Sequence, residues 1–162
     1  MPGKKTISFV LIIFVFLILQ VVISEKIALG GIKPDFFLIL LVFFALRKDL
    51  KFGLILGLFL GLLRDIFSGG ILGISAFSFG LCGLIIGKYA RFVYKEGIFN
   101  QLVIVFCSGI FVALVYYLAS LFTALPVSKH LFKVIILPAS FYTAVIALPV
   151  FWLLRRLFRL CG

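Results

Sequence analysis

An apolar stretch with charges at only one place runs from Phe52 to Gly87 and reads FGLILGLFLGLLRDIFSGGILGISAFSFGLCGLIIG. As a single α-helix this stretch would extend about 54 Å, nearly twice the thickness of the hydrocarbon core of a bilayer. Gly69 and Gly70 lie near its middle and indicate a break between two arms. We therefore expect two membrane-spanning helices here, with a re-entrant hairpin as the alternative that would use the same break.

The whole chain has the composition of a membrane protein. Of its 162 residues 65% are hydrophobic and 13% are charged, and the mean hydropathy is +1.36. Soluble proteins average about 25% charged residues, so this chain has too few polar side chains to cover a surface in water. We predict an all-α integral membrane protein, residues 1–162 forming one bundle of about six transmembrane helices. The expected spans are 7–23, 34–46, 52–67, 71–87, 98–123 and 134–154.

Three prolines and a basic start refine these spans. Pro34 suits the first position of the second helix, and Pro138 and Pro149 should bend the last one.

Two lysines precede the first apolar run, as they would in a cleaved signal peptide. An uncleaved anchor is the better interpretation, because the run is long for a signal and is followed by a poor cleavage site.

The basic residues lie between the apolar runs, as expected when Lys and Arg are retained on the cytoplasmic side. This pattern argues against nucleic-acid binding despite the net charge of +11. With both termini in the cytoplasm, 11 of the 16 cations are cytoplasmic, namely Lys4, Lys5, Arg47, Lys48, Lys51, Lys88, Arg91, Lys95, Arg155, Arg156 and Arg159. The last three should also anchor the chain on anionic lipid head groups.

Gly53, Gly57 and Gly61 are spaced four residues apart, so on a helix they form one smooth ridge. Small residues allow two helix backbones to approach closely, which matters in lipid because the hydrophobic effect does little to hold helices together there. Packing within this chain is the favoured interpretation. The alternative is a contact face for the helix of a partner.

Asp65 is a carboxylate at the outer end of an apolar helix, where the helix dipole disfavours negative charge. It needs a compensating group, either free N–H groups in the turn at Ser68, Gly69 and Gly70 or a cation elsewhere, since Arg64 lies on a different helix face. We expect Asp65 to cap this turn. A compatible hypothesis makes Asp65, with Arg64 and the turn, an outward contact for a partner.

Catalytic, metal and cofactor sites find little support in the sequence. The single histidine, His130, has no acidic residue or cysteine near it in sequence, and the five acidic residues are scattered. The three cysteines lack the close spacing of a metal or redox site, and no glycine-rich phosphate loop is present. We predict that the protein is not an enzyme and needs no cofactor.

The order of several short motifs resembles the MreD family of rod shape-determining proteins. These motifs are Pro34-Asp35, Ala45-Leu46-Arg47, the glycine ridge, the segment Leu62 to Gly69, and Leu72-Gly73. The resemblance is strongest from Pro34 to Lys88. Arg64 departs from the family pattern, in which an apolar residue is more usual before the aspartate.

The resemblance implies a non-enzymatic scaffold in the bacterial cytoplasmic (inner) membrane that binds MreC. It places the protein in the elongation complex for peptidoglycan, with RodA, its penicillin-binding partner and the MreB filament. It also implies a fold similar to the substrate-binding subunits of energy-coupling-factor transporters. A vitamin or lipid-precursor transporter subunit is therefore the alternative function, and it would need a polar pocket at membrane depth.

Overall fold

The computed structural model describes residues 11–23, 26–27, 33–68, 72–90, 97–122 and 137–161. Within these residues the regular structure is entirely helical and comprises six helices, which confirms the expected all-α class. They are α1 over 11–23, ending in the π-helix Leu19–Ile23, α2 over Phe36–Ala45, α3 over Leu50–Ser68, α4 over Ile74–Tyr89, α5 over Ile98–Phe122 and α6 over Leu137–Cys161.

Helix α2 is the centre of the bundle and contacts each of the other five helices. Its sequence FFLILLVFFA is apolar on every side, and each of its residues is at most 4% exposed. A helix that is hydrophobic all round suits either a buried core position or a membrane span, and α2 is buried on every side inside the bundle. At ten residues it is about 15 Å long, half the thickness of a bilayer core.

The start of α2 is fixed by hydrogen bonds to its first turn. Asp35 is the N-cap, and its Oδ1 accepts a hydrogen bond from the N–H of Leu38 at 3.1 Å. The N–H of Phe36 donates to Gln20 Oε1 on α1 at 2.8 Å. The prediction that Pro34 takes the first helical position is therefore wrong, because the capping carboxylate begins the helix at Phe36 and leaves the proline before the cap.

Helices α3 and α4 form a closely packed antiparallel pair, with the glycine ridge of α3 against the backbone of α4. Adding a Cβ at any ridge position would bring it into the facing backbone. The distances would be 2.5 Å from Gly83 O at Gly53, 2.7 Å from the Phe79 carbonyl carbon at Gly57 and 2.6 Å from Ala76 N at Gly61. The pair therefore depends on the absence of side chains along this ridge.

Helices α5 and α6 lie at the periphery and contact each other. Among the described residues, two segments are long and apolar enough to cross a membrane, Phe99–Ala119 and Pro138–Arg156. Only 17% and 33% of their most apolar windows is buried, so most of their apolar side chains face outward. This exposure suits helices that contact lipid.

The two prolines of α6 have different effects. Pro149 lies inside the helix, as expected. Pro138 lies in the first turn, where an N–H group has no intrahelical acceptor and a proline is tolerated. The expectation that Pro138 bends the last helix is wrong for this reason.

Candidate functional site

A group of polar side chains joins five helices near the start of α2, the end of α3 and the start of α4. We call it the polar cluster, and its members are Asp35, Arg64, Asp65, Ser75, Tyr116 and Thr143. Asp65, Ser75 and Thr143 are 2%, 0% and 3% exposed. Buried polar groups in an apolar bundle must find partners inside the protein, so this cluster is the most specific feature of the described residues.

Asp65 is held by backbone donors from the start of α4. Its Oδ2 accepts hydrogen bonds from the N–H of Gly73 at 2.7 Å and of Ala76 at 3.4 Å. Its Oδ1 accepts from the N–H of Ser75 at 3.2 Å and from the hydroxyl of Tyr116 at 3.4 Å. The carboxylate therefore accepts hydrogen bonds from the N–H groups that have no intrahelical acceptor at the start of α4.

The position of Asp65 has an electrostatic reason. A carboxylate at the end of α3 faces the unfavourable end of the dipole of that helix, but it also lies at the favourable N-terminus of α4. The N-cap of α4 is Gly73, which has no side chain with which to cap and adopts a φ of +103°. The described N–H groups that bond Asp65 belong to residues after the turn at Ser68, Gly69 and Gly70, where the sequence analysis expected them. Gly69 and Gly70 themselves fall outside the described part of the chain.

Arg64 pairs with Asp35 across the bundle. Its Nη1 lies 2.9 Å from Asp35 Oδ2, and the two side chains are 28% and 14% exposed. The guanidinium also lies 5.3 Å from the ring centre of Phe79 and 5.4 Å from that of Tyr116, distances typical of cation–π contacts. Among the described residues, the carboxylate that Arg64 pairs with is therefore that of Asp35 and not that of its sequence neighbour Asp65.

The Arg64–Asp35 pair should be worth about 1–3 kcal/mol, because it is partly buried and only one pair of atoms is in close contact. We expect Arg64→Gln to lower the free energy of unfolding by about 2 kcal/mol and Asp35→Asn by a similar amount. The double variant should cost clearly less than the sum of the two. Asparagine retains the capping oxygen for Leu38, so the cycle isolates the ion pair.

Denaturant titration of the unmodified protein, the two single variants and the double variant in the same mild detergent gives the coupling energy between Arg64 and Asp35. Arg156→Gln is the matched control, since Arg156 is exposed on α6 and its guanidinium lies 5.5 Å from the ring centre of Trp152. Strictly additive losses for the Arg64 and Asp35 variants would show that the pair contributes nothing.

Tyr116 extends from α5 to the cluster, where its hydroxyl hydrogen-bonds Ser75 and Asp65. Thr143 performs a similar role from α6, since its Oγ1 accepts from the N–H of Asp35 at 3.2 Å and donates to Ala139 O at 2.8 Å. The polar cluster thus ties α5 and α6 to the α2–α3–α4 core.

The remaining candidate residues that the structure describes are not members of the polar cluster. Gly53, Gly57 and Gly61 are buried between α3 and α4, so their ridge does not form an open surface. At the far end of α6, Arg155 Nη2 donates to Gln101 Oε1 at 2.9 Å, and Arg156 is exposed. The side chains of Ser68 and Arg159 fall outside the described part of the structure.

Sequence reasoning missed the grouping of Asp35, Thr143 and Tyr116 with Arg64 and Asp65. The available signal was the rarity of polar groups in apolar helices, which predicts that each one has a partner. Among the described residues, no three His, Cys, Asp or Glu side chains are grouped as a metal site would require. Among these residues the cluster is held together by hydrogen bonds and one ion pair, an arrangement that fixes the helices to one another.

Comparison with known proteins gives one match. A protein-family model described as rod shape-determining protein MreD matches residues 3–161, nearly the whole chain. No curated protein matches the chain. No solved structure matches it either.

Proposed function

Because this chain belongs to the MreD family and so to the membrane proteins of rod-shape determination, we propose that it acts as a non-enzymatic scaffold that binds MreC. The observation that carries the proposal is the family match over residues 3–161. The structure supports it physically, because the polar groups of the described core join helices to one another, as a stable framework requires.

The proposed topology has six crossings with both termini in the cytoplasm. At 19 residues α3 is about 28 Å long, and α5 and α6 at 25 residues each are about 38 Å long, enough to cross a bilayer. Helix α2 is much shorter, which is compatible with a position inside the bundle away from lipid. The similarity to substrate-binding subunits of energy-coupling-factor transporters stays a prediction.

The surfaces available to a partner are the outward apolar faces. Since the glycine ridge of α3 is occupied by α4, the single span of MreC would contact another apolar face. One candidate is the opposite face of α3, which includes Ile55 at 67% exposed, and the other is the outward face of α6, which includes Phe141 at 65% exposed. Asp65 is buried, so it would support an outer contact by holding the turn before α4 and not by touching the partner.

Further partners follow from the family. We propose that RodA, its penicillin-binding partner and the MreB filament join through this scaffold, directly or through MreC. The exposed Arg156 and its basic neighbours at the end of α6 would lie at the cytoplasmic surface and attract anionic lipids. None of these roles requires catalysis by this chain.

Affinity purification of the tagged protein from its native membrane in mild detergent, followed by mass spectrometry, tests the scaffold proposal. We expect MreC and cell-wall synthases to be recovered with it. A photo-crosslinking residue placed at Ile55 or at Phe141 should then identify which face contacts MreC, because both positions are exposed and neither supports the core.

Two results would contradict the proposal. One is the absence of MreC both from the purified material and from the crosslinked products of both faces. The other is the recovery of transporter ATPase subunits in place of MreC, which would favour the transporter alternative. A membrane protein of unrelated function, tagged and expressed at the same level, is the control for nonspecific recovery.

A further inference from the structure

A cavity of about 370 Å³ adjoins the polar cluster between α2, α3, α5 and α6. Its size lies in the range of small-ligand sites in proteins, which is roughly 300–1,000 Å³. Part of its wall is apolar and is formed by Leu38 of α2 and by Val112 and Ala113 of α5. The rest is polar and is formed by Lys33, Asp35, Arg64, Tyr116, Ser140 and Thr143. A ligand of this cavity would therefore meet both kinds of surface.

Most of the polar wall already has partners inside the protein. Asp35 uses both carboxylate oxygens, and Thr143 uses its hydroxyl both as a donor and as an acceptor. The hydroxyl of Tyr116 belongs to the hydrogen bonds of the polar cluster. Lys33 and Ser140 have partners of their own. These five side chains therefore leave little capacity for binding a ligand.

Arg64 differs from the other polar residues of this wall. Its Nη1 is buried and makes no hydrogen bond to the described residues. This atom lies 2.9 Å from Asp35 Oδ2 as an ion pair, but the contact lacks the angle of a hydrogen bond. Buried donors normally have an acceptor, and a guanidinium can only donate. Because Asp35 balances the charge of Arg64, the suitable partner is a neutral acceptor oxygen and not an anion.

The position of Arg64 along α3 indicates what could supply such an oxygen. Arg64 precedes Ser68, the last residue of the helix, by four positions, which is about 6 Å along the axis. In the proposed topology, on which this step rests, α3 crosses the bilayer, so Arg64 lies near the edge of the hydrocarbon core. The ester carbonyls of glycerolipids lie at that edge. They accept hydrogen bonds without donating any, and their acyl chains begin next to them.

We propose that the cavity binds the ester-linked glycerol backbone of a membrane lipid. A carbonyl oxygen accepts from Arg64 Nη1, and the first methylene groups of an acyl chain pack against Val112 and Ala113. The lipid head group takes no part in this recognition, which distinguishes the site from the basic residues at the end of α6. The lipid contacts α3 and α5 together and so reinforces the polar cluster.

Native mass spectrometry of the full chain in a neutral detergent tests the site with two matched pairs of lipids. Dioctanoyl phosphatidylcholine should bind about tenfold more tightly than its dioctyl ether analogue, which has the same head group and no carbonyl oxygen. That ratio corresponds to about 1.4 kcal/mol, a reasonable value for one hydrogen bond to a charged group. Dioctanoylglycerol should show the same preference over dioctylglycerol, because neither has a phosphate head group.

A cavity-filling variant locates the lipid. Ala113→Phe should lower the affinity for dioctanoyl phosphatidylcholine about tenfold, because the ring occupies the space beside Val112. Leu114→Phe is the matched control, since it adds the same ring one residue away, at a position that is 44% exposed and outside the cavity wall. The control should bind the lipid as the unmodified protein does.

A second variant tests the hydrogen bond. Arg64→Leu combined with Asp35→Asn removes the guanidinium without leaving an unpaired charge and retains the capping oxygen for Leu38. This double variant should bind the ester and the ether lipid equally. Arg156→Leu is the control, because Arg156 is exposed on α6 and outside the cavity wall, and it should keep the tenfold preference. If either cavity variant fails to fold, the comparison of lipids on the unmodified protein still decides.

Three outcomes would overturn the proposal. Equal binding of the ester and ether lipids by the unmodified protein would exclude recognition of a carbonyl oxygen. An undiminished ester preference in the double variant would assign it to donors other than Arg64. Undiminished binding by Ala113→Phe would place the lipid elsewhere on the surface. None of these measurements involves MreC, so failure of the lipid site and failure of the scaffold proposal are separate results.

Discussion

Gly57→Ala should lower the free energy of unfolding by about 2–3 kcal/mol, whereas Gly80→Ala should change it by less than about 1 kcal/mol. The two substitutions are chemically identical and lie on the two facing helices of the same pair, Gly57 on α3 and Gly80 on α4. An added Cβ at position 57 meets the backbone of Phe79 at 2.7 Å. At position 80 its nearest neighbours are side-chain atoms, Leu58 Cδ2 at 2.9 Å, Leu58 Cγ at 3.1 Å and Leu54 Cδ1 at 3.6 Å.

The difference arises from what must move. The backbone of α4 cannot move away from Gly57 unless the two helices separate along their length, so the overpacking at this position is not relieved by a local shift. The Leu58 side chain can rotate toward the outside, since it is 41% exposed. Alanine also favours a helix over glycine by about 1 kcal/mol, which offsets the small strain at position 80.

Thermal and denaturant unfolding of both variants in the same detergent measures this difference. Gly57→Leu should be more severe and should fail to give a monodisperse protein. If Gly57→Ala were as stable as Gly80→Ala, the close packing of the ridge against α4 would be excluded. Loss of MreC binding by a folded Gly57→Ala protein would instead indicate that the ridge serves a partner.

Asp65→Ala should cost about 3–5 kcal/mol, because it leaves several buried donors without an acceptor in an apolar environment. The N–H groups of Gly73, Ser75 and Ala76 and the hydroxyl of Tyr116 all donate to this carboxylate. Removing it also removes the negative charge at the N-terminus of α4. We expect the turn and the first turn of α4 to loosen together.

Asp65→Asn should give an intermediate loss of about 2 kcal/mol, since the amide retains one acceptor oxygen but turns a donor group toward other donors. Asp49→Asn makes the same chemical change at an exposed residue before α3 and should be nearly neutral. Unfolding in detergent gives the stabilities, and hydrogen exchange of the amides of Ser75 and Ala76 reports the cap directly. Unchanged exchange in Asp65→Ala would refute the capping role.

Several properties followed from local sequence alone. The apolar runs and their breaks predicted six helices, and the described residues contain six, because a helix is specified by the residues within it and at its ends. The spacing of Gly53, Gly57 and Gly61 likewise predicted a smooth ridge, since residues four apart share a helix face. Only the structure shows that this ridge packs against α4. A ridge that faces a helix of the same chain and a ridge that faces the helix of a partner have the same glycine spacing in the sequence.

The partners of the charged residues were decided only by the tertiary structure. Arg64 and Asp65 are adjacent in the chain, yet they point to different neighbours, Arg64 to Asp35 and Asp65 to the start of α4. Helix periodicity separates two consecutive side chains by about 100° but does not say which helix lies on either side. That choice depends on how helices pack around α2, where burial of every face of FFLILLVFFA brings the ends of α3, α4, α5 and α6 together.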